Sequence, residues 1–72
     1  MVLRNKLLGL RERRELSQQG LATIAGTSPS TVNRIERWGY VPTAPVQERL
    51  ARALNVPIHA IWPELSGEDR AA

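Results

Sequence analysis

The chain has no cysteine, one histidine, one aspartate and no long apolar run. Each absence removes a class of explanation. Without cysteine, neither a disulfide framework nor a thiolate zinc site can supplement the core, and a reducing compartment is compatible. The uncharged apolar runs are only a few residues long, and the Met1 start carries no charged, apolar and cleavage-site sequence. Neither a membrane span nor a signal peptide is therefore expected, which points to the cytoplasm. Nothing resembles a catalytic constellation, so no enzyme is expected. His59 has no His, Cys or Asp neighbour at metal-ligand spacing, which makes it a surface imidazole rather than a ligand. No metal and no cofactor is expected.

What is present is one small domain's worth of chain, 72 residues, whose core depends on efficient helix packing. Ten basic against seven acidic residues give a formal charge of +3. Three of the acidic residues, Glu64, Glu68 and Asp69, crowd the C-terminal end, so the body is more basic than the total. Such an excess suits a polyanionic partner as well as it suits a merely soluble surface.

Leu3, Leu7 and Leu10 recur at helical spacing, with charged residues between them up to Arg14, and predict a first helix from the start of the chain to about Glu15. Ser17 is a good N-cap for a second helix carrying Leu21, Ala22 and Ala25, and Gly26 closes it. Ser28 followed by Pro29 opens a third helix running to about Arg37, since proline at the first helical position loses no needed hydrogen bond. Gly39 and Pro42 interrupt the pattern. Thr43 then caps a fourth helix with Val46, Leu50, Ala51 and Leu54 on one face, and Asn55 ends it. A last short helix runs from Pro57 through Ile58, Ile61 and Trp62 until Pro63 stops it. Residues 1–65 are thus expected to form an all-α, compact five-helix domain, and 66–72 a flexible C-terminal tail without an apolar anchor.

The third helix is unusual for its polarity, having only Val32 and Ile35 as large apolar residues. Successive side chains on a helix lie about 100 degrees apart, so Val32 and Ile35 define a buried direction, and Ser30, Asn33, Arg34 and Arg37 fall within an arc of roughly 100 degrees opposite to it. On an arbitrary helix such residues are simply solvated. A helix of this kind can also enter the major groove, where arginine bonds guanine O6 and N7 and asparagine bonds adenine N6 and N7.

The stretch LRERRELSQQGLATIAGTSPSTVNRIER resembles the helix-turn-helix of the phage repressor and Cro type, the lambda-repressor-like family. The LSQxxLA opening, the glycine at 26, the serine cap at 28 and the VxRIE close occur in the family's order and spacing, and the likeness continues through LARALNVP to WPEL. The resemblance implies double-stranded DNA as the partner. Because one short helix reads only a few base pairs, a homodimer on an inverted-repeat operator is expected, with Ile58, Ile61 and Trp62 either contributing to its contact or completing the monomer core. It implies base contacts from Ser28, Pro29, Ser30, Asn33 and Arg34, and a phosphate contact from Gln18, whose family counterpart caps helix 2. Pro29 departs from the polar residue common there and would offer apolar contact, as to a thymine methyl. Arg11 and Glu36 match a family ion pair that orients the recognition helix, which on an exposed surface would contribute little stability. Arg13, Arg14, Arg37 and Tyr40 flank the motif as candidate phosphate contacts, which position a protein without reading sequence. Arg49 and Arg52 on the fourth helix read as solvated.

Three positions depart from the family pattern. Glu15 stands where glycine commonly ends helix 1, Gly20 where a glutamate supports the cap, and Trp38 where glycine often follows helix 3. Trp38 is either a lid on the core under the loop between helices 3 and 4 or a partly exposed contact surface, and the lid is the favoured expectation. The function implied is a small transcriptional regulator, a repressor by preference, with no appended ligand-sensing domain and hence controlled by its concentration or a partner. The competing function is a protein-interaction module, antitoxin-like or adaptor, on the same fold. The polar stripe favours DNA, because a protein-binding helix more often presents an apolar anchor.

Overall fold

The computed structural model describes residues 2–65. Five helices follow one another: α1 (Leu7–Arg13), α2 (Gln18–Ala25), α3 (Pro29–Trp38), α4 (Ala44–Leu54) and α5 (Ile58–Ile61). A further helical turn occupies 63–65, so Pro63 opens a turn as well as closing α5. The expected tail at 66–72 lies outside the described residues.

Local signals set most helix ends. The Ser17 hydroxyl accepts from the Gly20 N–H and the Ser28 hydroxyl from the Thr31 N–H, which satisfies one orphan donor at each helix start. Gly26 and Asn55 close α2 and α4 in the left-handed conformation. Thr43 occupies the cap position of α4, but its side chain makes no capping hydrogen bond. Gln47 instead donates from Nε2 to the Pro42 carbonyl at 2.8 Å.

The start of α1 differs from the sequence expectation. Residues 3–6 are not helical, and the helix begins only at Leu7. The reason is competition for backbone groups. The Leu3 N–H donates to the Gly39 carbonyl at 3.0 Å, Val2 pairs with Tyr40 in an isolated antiparallel bridge, and the Lys6 N–H donates to the Ile61 carbonyl at 2.9 Å. Asn5 completes the strap: its Nδ2 donates to the Ile35 carbonyl at 2.9 Å while its Oδ1 accepts from the Leu7 N–H at 3.1 Å. Residues 2–6 therefore tie the C-terminal end of α3 to the rest of the domain. Gly39 permits the crossing, for a Cβ there would sit 2.7 Å from the Val2 Cγ1 and 3.1 Å from the Leu3 carbonyl oxygen.

The core is formed by Leu7, Leu21, Ala22, Ala25, Val32, Ile35, Leu50, Ala51, Leu54, Ile61 and Trp62. Burying each large apolar side chain contributes about 1.5–3 kcal/mol, and every helix supplies at least one. α2 packs against both α3 and α4, α5 against α4, and α1 against α3. Ile61 and Trp62 are fully buried and Ile58 half-buried, so the terminal helix completes the monomer core. Trp62 Nε1 finds no acceptor among the described residues, an opposing cost of about 1–3 kcal/mol.

Two departures from the family pattern carry an energetic consequence: Gly20 lies within α2, where glycine costs about 1 kcal/mol relative to alanine, and Glu15 holds a strained backbone. Glu15 sits at φ 56, in the left-handed region, just past the end of α1. The Leu16 N–H reaches back to the Arg11 carbonyl at 3.2 Å, which requires that conformation. A non-glycine residue held there costs about 1–2 kcal/mol. Glu15→Gly is therefore expected to stabilise the domain by about 1 kcal/mol, read as a higher midpoint in urea at unchanged slope. An unchanged or lower midpoint would contradict the strain.

Candidate nucleic-acid interface

α2 and α3 are joined by Gly26, Thr27 and Ser28 alone. Gly26 turns the chain at φ 71, and the Thr27 N–H donates to the Ala22 carbonyl at 2.9 Å, closing α2 while Ser28 opens α3. A short turn of this kind, with the Gly26 and Thr27 N–H groups bonded back to α2, fixes the angle between two helices. Val32 and Ile35 then pin α3 to the core, both fully buried.

The opposite face of α3 is open. Ser30, Arg34 and Arg37 are exposed and Asn33 half-buried, and these four side chains line one shallow hollow with Trp38. The helical geometry inferred from the sequence and the three-dimensional grouping coincide. Pro29 is half-buried at the first helical position. Ser28 is exposed, but its hydroxyl caps the helix and also lies 3.0 Å from the Thr31 hydroxyl, so it is engaged within the helix start.

Arg11 and Glu36 form a two-bond ion pair. Arg11 Nε donates to Glu36 Oε2 at 2.7 Å and Nη2 to Oε1 at 3.1 Å. Their side chains retain only 12% and 6% of their exposure, so this is no surface pair. Arg11 Nη1 also donates to the Leu16 carbonyl at 2.7 Å, and Gln18 Nε2 to Glu36 Oε1 at 3.0 Å. One carboxylate of α3 thus gathers an arginine from α1 and a glutamine from α2. The hydrogen bond to Glu36 raises the Arg11 pKa above the ordinary arginine value, against the lowering effect of burial, so the guanidinium stays charged.

This network changes the place of Gln18. The start of α2 is capped by Ser17, and the Gln18 amide is turned inward onto Glu36 instead of capping the helix. Arg13 and Arg14 stand exposed at the end of α1, next to Arg11 in the chain. Tyr40 is half-buried, packs against the core, and lies beneath Arg34, whose Cζ is 4.5 Å from the ring centroid. Trp38 overturns the expectation of a lid. It is 67% exposed, and Arg37 lies over its ring at 5.7 Å. The tryptophan that enters the core is Trp62, while Val2 and Leu3 pass close to Gly39, the residue after Trp38.

Asn5 escaped the sequence reading, although an asparagine shortly before the Leu7 helix is a capping signal. The leucine spacing that began at Leu3 concealed it.

The helix-turn-helix domain family matches residues 3–61. Among solved structures, the chain is similar to the restriction-modification controller protein C.AhdI from Aeromonas hydrophila, with 31% identity and a TM-score of 0.71. That match covers 76% of this chain and 83% of the other. No curated protein matches the chain. With the capped three-residue turn between α2 and α3, the anchored third helix and these two likenesses, the chain belongs to the lambda-repressor-like helix-turn-helix family.

Proposed function

We propose that the chain binds double-stranded DNA sequence-specifically through α3 and acts as a small transcriptional regulator, of repressor type, in the cytoplasm. The observation that carries this proposal is the grouping of Ser30, Asn33, Arg34 and Arg37 in one open hollow on a helix whose other face is fully buried. Arg34 and Asn33 supply the groups that bond guanine and adenine edges. Ser30 adds a hydroxyl, and Pro29 an apolar contact. Arg37, Arg13 and Arg14 supply phosphate contacts, which fix register and add salt-dependent affinity. Gln18 reaches a phosphate only if its amide leaves Glu36 or offers its second N–H outward, so it is assigned the weakest of these roles. The similarity to a controller protein supports regulation as the outcome, and occupancy of a site is the simplest repressive act. No catalytic role is assigned.

One recognition helix spans few base pairs, so two copies on an inverted repeat are proposed, with their α3 helices about 34 Å apart. Since Ile61 and Trp62 are buried, they are not available for a self-contact. The surface left on that side comprises Val56, Pro57 and Ile58 beside Glu48 and Arg52. Sedimentation with a preferred duplex at several salt concentrations tests both parts. Two protomers per duplex and a steep loss of affinity with salt are expected, because neutralised phosphates release counterions. A strict one-to-one complex on a non-palindromic site would remove the dimer, and salt-insensitive binding would remove the DNA assignment.

A further inference from the structure

The central arginine of the open stripe already has a platform. Arg34 Cζ stands 4.5 Å from the centroid of the Tyr40 ring, well inside the range over which a cation is held by an aromatic face. The platform is fixed from several sides. The Tyr40 N–H donates to the Arg34 carbonyl at 3.3 Å, its backbone bridges to Val2, and its side chain packs against the core. Arg34 itself is exposed, and its side chain makes no hydrogen bond among the described residues that would direct it elsewhere. Arg37 offers a contrast within the same helix. Its partner Trp38 is the adjacent residue, 67% exposed, with the ring 5.7 Å away, so that pair is looser and less able to set a direction.

We propose that Tyr40 is a positioning residue that presets the Arg34 guanidinium for base readout and so sets selectivity at one position of the site. This rests on the proposal that Arg34 reads a base. A two-bond contact to guanine O6 and N7 needs the planar guanidinium fork in one orientation, and a free arginine loses much rotamer freedom in reaching it. Stacking the face of the fork on a ring leaves its edge N–H groups available while restricting the rotamers. The contact that benefits is the discriminating one. Tyr40 therefore acts on selectivity through Arg34, and the phosphate contact expected from its position flanking the motif is not needed to explain its place.

The test compares Tyr40→Leu, Tyr40→Phe, Arg34→Ala and the Tyr40→Leu/Arg34→Ala double variant on the preferred duplex and its single-base variants. Discrimination is a ratio of affinities from one preparation, so partial unfolding cancels. Tyr40→Leu is expected to lower discrimination about two- to fivefold at the base read by Arg34 and leave the other positions unchanged. Tyr40→Phe should retain it, because the stack uses the ring face. In the Arg34→Ala background, Tyr40→Leu should change nothing further at that base. Uniform weakening by Tyr40→Leu with discrimination intact would overturn the positioning role, as would uniform weakening by Tyr40→Phe, which would mark a hydroxyl contact to phosphate. If Arg34→Ala leaves discrimination intact, the base-reading assignment fails, and the positioning role falls with it. If Arg34→Ala abolishes discrimination while Tyr40→Leu does not, only the positioning role falls.

Discussion

Glu36→Ala is expected to destabilise the domain by about 3 kcal/mol, lowering Tm by about 12–24 °C. Removing the carboxylate leaves the Arg11 guanidinium charged, nearly buried and deprived of two of its three hydrogen bonds. It also strands the Gln18 amide. A domain of this size has roughly 5 kcal/mol of total stability, so the variant would sit close to its unfolding threshold. The loss belongs to the broken pair and not to the pair as such. Replacing both partners with apolar residues, as in Arg11→Met/Glu36→Leu, removes the buried charges together and should cost much less than Glu36→Ala. Denaturant unfolding of the two single variants and the double variant measures this directly. A Glu36→Ala loss below about 1 kcal/mol would place the pair with ordinary exposed ion pairs and contradict the burial.

Arg34→Ala and Arg37→Ala are expected to fail in different ways, although the two side chains share one hollow. Arg34 lies centrally in the stripe and is held over Tyr40. Its loss should cost about 1–3 kcal/mol of binding and relax preference at one base position. Arg37 lies at the C-terminal end of α3 beside the exposed Trp38. Its loss should weaken all duplexes alike and reduce the salt slope by about one unit, as for a phosphate contact. Helicity should survive both substitutions, since Val32 and Ile35 hold α3 from the other side. Titration of each purified variant against single-base variants of the preferred duplex, at several salt concentrations, separates the two behaviours. Equal loss of discrimination from both would mean that the stripe does not divide its labour.

The helix-turn-helix itself was legible because its signals are local. Ser17, Gly26 and Ser28 act within their own turns, and the direction of Val32 and Ile35 follows from helical geometry alone. The residue stripe on α3 was legible for the same reason. The features that eluded the sequence depend on distant partners. Leu3 fits the helical spacing of Leu7 and Leu10, yet its N–H is taken by Gly39, more than thirty residues away. Trp38 and Trp62 are chemically alike, and only the packed core decides that Trp62 is buried and Trp38 exposed. The partnership of Arg11 and Glu36 was suggested by resemblance. Its depth was not, because burial comes from α1, α2 and α3 closing around it. Gln18 joined that network for the same reason: its amide lies within reach of Glu36 only once α2 and α3 have packed.

Selection of bound sequences from random duplex DNA, run in parallel on the parent chain and Arg34→Ala, tests the role of α3 most directly. For the parent, enrichment of an inverted repeat is expected, with half-sites about one helical turn apart. Arg34→Ala should return the same repeat with one symmetric pair of positions degenerate. An unenriched pool from the parent, or an identical and equally sharp site from Arg34→Ala, would contradict the assignment of sequence recognition to the open face of α3.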